Sequence, residues 1–184
     1  AASGTVSVRN GTAFVVSASI ASSAPVAIAA NNVTSNSFTA NWNAFSGATS
    51  YRLDVSTSSS FASFVTGYQD LSVSGLSRTI TGLSSSRTYY YRVRAVTSTG
   101  TSVNSNTIIT RTCSVISASA SAGGTITPRG AITICSGGSQ TFTFIPNTCF
   151  TVASVLVNGL YVDDLGSYTF SNVTTNQSIR VNFV

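Results

Sequence analysis

The chain has 184 residues, a net charge of +5 and only 7% charged side chains, and every cation is Arg and every anion Asp, with His, Lys, Glu and Met absent. Without imidazole or amine side chains it cannot assemble a Ser-His-Asp arrangement, a His metal ligand or a Schiff-base lysine, so the sequence predicts a protein that is not an enzyme and needs no cofactor or metal. The missing residues are also strong helix formers, while Val, Ile, Tyr, Phe and Thr are plentiful, which predicts an all-β fold.

The first run, "TVSVRNGTAFVVSAS", alternates apolar and polar residues around Asn10-Gly11, a dipeptide favoured in two-residue hairpin turns. Residues 1–24 are read as an N-terminal strand segment and linker, with Val6, Val8, Phe14 and Val16 as its apolar anchors. Further strand-like runs cover residues 37–42, 50–57, 64–73, 77–83, 89–96 and 104–112, separated by segments rich in Ser, Gly and Thr. That spacing of turn signals predicts a sandwich.

In "YYYRVRAV" the period of two puts Tyr89, Tyr91, Val93 and Ala95 on one face, the core, and Tyr90, Arg92, Arg94 and Val96 on the other. The arginine stems are expected to lie over tyrosine rings on the solvent side. The nine arginines form no run, so nucleic-acid binding is not indicated. No apolar stretch approaches the roughly 18 residues of a membrane span. The chain opens without a charged and apolar leader, which is read as a signal peptide already removed from a secreted or cell-surface protein.

Residues 25–112 resemble a fibronectin type III domain of the bacterial kind. The resemblance rests on "SFTANW" with Trp42, "GATSYRLDVS" with Tyr51, and "ITGLSSSRTYYYRVRAVTSTGTSVNSNTI". Within the last stretch, Leu83 followed by Tyr89 matches the family's tyrosine corner, whose phenol hydroxyl bonds to the chain just upstream. Ser85 departs from the proline that many members carry there. The resemblance implies a core of Phe38, Ala40, Trp42, Tyr51, Leu53, Val55, Leu83, Tyr89, Tyr91 and Val93.

Residues 113–184 are similar to the bacterial surface repeat described as a divergent internalin B repeat, through "GGTITPRG", "GGSQTFTFIPN", "VASVLVNG" and "SYTFSNVTTNQSIRVNF". It implies a second small β-rich domain that acts as a spacer or adhesive module. Three cysteines, Cys113, Cys135 and Cys149, allow one bridge and an odd thiol, or three thiols. Some members of the repeat family carry a pair at "TICSGG" and "NTCF", so the resemblance implies a Cys135–Cys149 bridge. Four Asn-x-Ser/Thr triplets, at Asn10, Asn32, Asn172 and Asn176, are expected by chance in so Asn- and Ser-rich a chain.

The functional expectation is a non-catalytic extracellular structural or adhesive protein. In its sharpest form the N-terminal segment adds to a neighbour's sheet edge, so that the chain self-associates head to tail into a filament. The alternatives are a spacer in a longer secreted protein and a module binding surface polysaccharide through Phe45, Tyr68, Tyr90 and Tyr161.

Overall fold

The computed structural model describes residues 8–9, 12–13, 23–135, 137–162 and 166–184, and it contains strands throughout without a helix. Strands β1 (Val8–Arg9) and β2 (Thr12–Ala13) form a two-stranded sheet of their own. They pair antiparallel, Val8 opposite Ala13 and Arg9 opposite Thr12, and the Asn10-Gly11 turn that the sequence predicts lies outside the described residues.

The first sandwich packs two antiparallel sheets. One is β3 (Ala27–Asn31), β4 (Phe38–Trp42) and β7 (Ser77–Ile80), in that order. The other runs β10 (Ile108–Arg111), β8 (Thr88–Thr97), β5 (Ala48–Ser56) and β6 (Leu71–Val73), with β9 (Gly100–Thr101) folded back on β8. Alternation decides the faces, since Tyr89, Tyr91, Val93 and Ala95 are at most 3% exposed while the residues between them are half-buried. All ten expected core residues are buried, as is Ala95, which the alternation also placed inside, and Ala27 and Ile80 join them. The run at 64–73 is strand only over Leu71–Val73. Its first half turns instead, through positive φ at Gly67 (83°) and Asp70 (52°), which extended backbone does not tolerate.

The half-buried face of β8 differs from expectation. Arg92 and Arg94 lean on Asp54, whose carboxylate Oδ2 accepts from Arg92 Nε (3.2 Å) and Arg94 (3.4 Å), rather than lying over tyrosine rings. Its other oxygen accepts the Asp70 N–H at 2.8 Å. Asp54 sits opposite Arg92 in the ladder and is 3% exposed, because the connection between β5 and β6 folds over it. That connection supplies Phe61, whose ring lies 3.9 Å under the Arg92 guanidinium. A carboxylate so covered requires partners on both oxygens, and it has them.

The second sandwich begins directly after β10. Its large sheet orders β13 (Gly130–Ile134), β11 (Ser114–Ala120), β18 (Gln177–Phe183), β15 (Val152–Val157) and β16 (Leu160–Val162). Its small sheet orders β12 (Gly124–Thr127), β14 (Gln140–Pro146) and β17 (Ser167–Phe170). A separate core forms between them around Ile116, Phe142, Val155, Ile179 and Val181. The Gly123-Gly124 pair of "GGTITPRG" has a packing reason: a Cβ at Gly123 would lie 2.3 Å from the Phe150 ring and one at Gly124 2.5 Å from the Phe183 ring. Both rings therefore close directly onto backbone.

Candidate functional site

A polar construction outside the two cores lies at the junction between the sandwiches. It starts from Cys113, the linker residue between β10 and β11. Its N–H donates to the Thr34 carbonyl at 2.9 Å, and its own carbonyl accepts the Ser86 N–H at 3.0 Å. By its backbone Cys113 therefore belongs to the first sandwich. By its side chain it belongs to the second, through a disulfide to Cys135.

This bridge corrects the expected Cys135–Cys149 pairing. Strands β11 and β13 are antiparallel and pair Ser114 with Ile134, so Cys113 and Cys135 are the next residues on the same ladder and face each other. Cys149 is free and exposed. The seven-residue strand β14 separates it from Cys135, carrying the chain about 20 Å towards the far end of the sandwich, well beyond the roughly 4.4–6.8 Å between bridged Cα atoms. The Val33 carbonyl oxygen lies 3.4 Å from the Cys113 sulfur and 3.8 Å from that of Cys135. Neither disulfide sulfur carries a hydrogen, so these are packing contacts.

Hydroxyls and amides close the other side of the junction. Ser86 Oγ donates to the Thr174 carbonyl (2.9 Å) and accepts from Arg111 (3.1 Å) and from Ser114 Oγ (3.2 Å). Arg111 also donates to the Thr174 carbonyl at 3.0 Å. Asn176 uses both ends of its amide, accepting the Val115 N–H at 2.9 Å and donating to Ser85 Oγ at 2.7 Å. Ser85 thereby supplies an acceptor that a proline could not.

Two Asn-Val-Thr triplets frame the same region. Asn32 and Asn172 adopt left-handed φ of 49° and 51°, turning the chain so that Val33 and Val173 line the junction cavity of about 350 Å³. The following threonines offer their carbonyls, Thr34 to Cys113 and Thr174 to Ser86 and Arg111. These triplets have a structural use in the junction that sequence reading did not find. The signal was there: the same three residues recur at the two places where left-handed turns abut the linker.

The tyrosine corner adjoins this construction. Tyr89 Oη accepts the Ser84 N–H at 2.9 Å, Thr112 Oγ1 donates to the Ser84 carbonyl at 2.7 Å, and Leu83 is buried beneath. Trp42 and Tyr51 lie deeper, their ring centroids 5.6 Å apart, with Tyr51 Oη accepting the Phe45 N–H at 2.9 Å. Burial raises the Tyr91 phenol above its ordinary range, against the opposing effect of a hydrogen bond from the Asn41 N–H. Its hydroxyl donates to the Ile28 carbonyl.

Of the strand-addition anchors, Val8 lies in β1, while Val6, Phe14 and Val16 lie outside the described residues. The aromatic candidates for polysaccharide do not gather. Phe45 and Tyr68 pack against the first core, Tyr90 is half-buried on β8, and Tyr161 stands exposed on β16 of the other sandwich. Among the described residues no group of His, Cys, Asp or Glu is placed to hold a metal ion.

Residues 23–111 match the family model of the fibronectin type III domain. Similar solved structures include the sixth fibronectin type III domain of human fibronectin type III domain containing protein 3, at 24% identity over 48% of this chain and 82% of that one, with a TM-score of 0.39. The FN5 domain of Drosophila Lar is 22% identical over 48% of this chain and 92% of that one, with a TM-score of 0.38. No curated protein matches the chain. With its tyrosine corner, its Trp42–Tyr51 core and its match to the family model, the segment from residue 23 to residue 111 is a fibronectin type III domain.

Proposed function

We propose that this chain is a non-catalytic extracellular structural protein, a bacterial surface subunit that assembles head to tail when its N-terminal segment adds as a strand to a neighbour's sheet edge. The clamped junction is the observation that carries the reading. A flexible tether between modules leaves their angle free, whereas here a linker residue is hydrogen-bonded to one sandwich and disulfide-bonded to the other. Fixed geometry suits a load-bearing building block. Fibronectin type III domains are commonly structural and adhesive modules, and a disulfide persists in oxidising, extracellular surroundings. No helix among the described residues is long and apolar enough to cross a membrane.

Strand addition draws support from β1 and β2, whose sheet is distinct from the four sheets of the sandwiches. A second reading uses the same junction: residues 25–112 and 113–184, the latter an internalin-type repeat, serve as a stiff spacer within a longer secreted protein. The test is deletion of residues 1–22. Under the filament reading the truncated protein is a soluble folded monomer and the intact chain forms oligomers that resist dilution. Phe14→Asp, which puts a carboxylate into an apolar contact, should abolish assembly, and raised salt should not. Analytical ultracentrifugation reads all three. Unfolding of the truncated protein would place the segment in its own domain's core and favour the spacer.

A further inference from the structure

The second sandwich leaves an apolar position uncovered. Across the core-facing side of its large sheet the ladder registers run Ala118, Ile179, Val157, Leu160. The first three are 5%, 1% and 9% exposed and the last 73%. Five strands face three, and the small sheet ends at β17. Val157 of β15 and Tyr168 and Phe170 of β17 line a cleft of about 230 Å³ that Asn158, Asn172 and Gln177 also border. Strand β17 thus reaches β15, and the edge strand β16 overhangs.

The backbone of β17 is oriented for one more strand. The Phe144 N–H donates to the Gly166 carbonyl, so by alternation Phe142–Tyr168 and Gln140–Phe170 are the hydrogen-bonded pairs. The N–H and C=O groups of Ser167 and Thr169 then point away from β14, towards the open edge. On the outer face of this sheet the Thr141 and Thr169 hydroxyls pair at 2.8 Å.

We infer that this edge is the acceptor, and that its occupant is residues 12–20 of a second copy of the chain; the inference rests on the strand-addition reading. As a strand, "TAFVVSASI" puts Phe14, Val16, Ala18 and Ile20 on one face, matching Leu160 and Tyr168, and Ala13, Val15, Ser17 and Ser19 on the other, where the two serines continue the hydroxyl face. Neither this segment nor the lining of the cleft carries a charge, so no ion is desolvated on docking. Only Ala21 and Ser22 separate this segment from Ser23, a span of up to about 10 Å, so the neighbour's edge lies close against the start of the first sandwich. The added strand would make the small sheet four-stranded and cover Leu160.

The test is assembly of the full chain by analytical ultracentrifugation, with cross-linking in a Cys149→Ser background. Leu160→Asp should weaken assembly by at least about tenfold and leave the melting curve unchanged, since Leu160 is exposed. Ile109→Asp, at a 66% exposed position on the open edge of the first sandwich, should leave assembly intact. Leu160→Cys combined with Phe14→Cys or Val16→Cys should give a ladder of covalent multimers on a non-reducing gel, and each single variant should not. If Ile109→Asp blocks assembly and Leu160→Asp does not, the acceptor is elsewhere and strand addition survives. Cross-links confined to monomers would assign the edge to the chain's own N-terminus and overturn the second-copy occupant. A wild-type chain that stays monomeric at high concentration would overturn both this inference and the filament reading.

Discussion

Trp42→Ala should lower the unfolding free energy of the fibronectin type III domain by about 3 kcal/mol, the lower end of the range for removing a large aromatic from a core. Trp42 is 2% exposed and tilts against Tyr51 in the middle of the first core. Its Nε1 is buried and has no hydrogen-bond partner, a burden that the truncation relieves and that offsets part of the cavity cost. Trp42→Phe, which removes the same donor with less volume, should therefore cost clearly less. By contrast Arg94→Ser should cost about 1 kcal/mol. Arg94 is partly exposed, and Asp54 would keep Arg92 and the Asp70 N–H. Urea unfolding followed by circular dichroism measures all three variants. If Arg94→Ser proved more damaging than Trp42→Ala, the charge cluster on the outer face of β8 would outweigh the core beneath it.

The contrast between those residues marks what the sequence made legible. Period-two alternation reads one strand at a time, so it placed Tyr89, Tyr91 and Val93 inside without knowledge of their neighbours. The pairing of β1 with β2 and the tyrosine corner are likewise local, each set by residues within a few positions. Asp54 is different. It occupies an outward position on β5 and is buried only because the fourteen-residue connection to β6 folds Phe61 and Asp70 over it, and no local pattern encodes where a loop lands.

The junction was hidden for the same reason. Its acceptors and donors come from Thr34, Ser86, Arg111, Thr174 and Asn176, ordinary polar residues in four separate stretches of chain that only the meeting of two sandwiches brings together. The disulfide fell to the same limit, because choosing Cys113 over Cys149 requires the pairing of β11 with β13. The free edge beside Leu160 required both sheets: "NGLYV" reads as an ordinary hairpin arm until the opposing sheet is seen to stop at β17.

Replacing both Cys113 and Cys135 with Ser should lower the stability of the second sandwich by about 3 kcal/mol, the chain-entropy value for a loop of roughly this size. The bridge closes a span of 22 residues that holds β11, β12 and β13, all within that sandwich. The fibronectin type III domain should melt almost as before. Its contacts to the linker are main-chain ones, Cys113 to Thr34 and Ser86, and they survive the substitution. Calorimetry of the double variant, or of the native protein under reductant, should accordingly show one transition shifted down and the other held. Peptide mapping without reductant should find Cys113 linked to Cys135 and Cys149 alone open to alkylation. A bridge to Cys149 would require β14 to fold back on itself and would overturn the register of β11 and β13. Equal loss in both transitions would mean that the cross-link holds the junction as a whole, with each sandwich depending on the other for its stability.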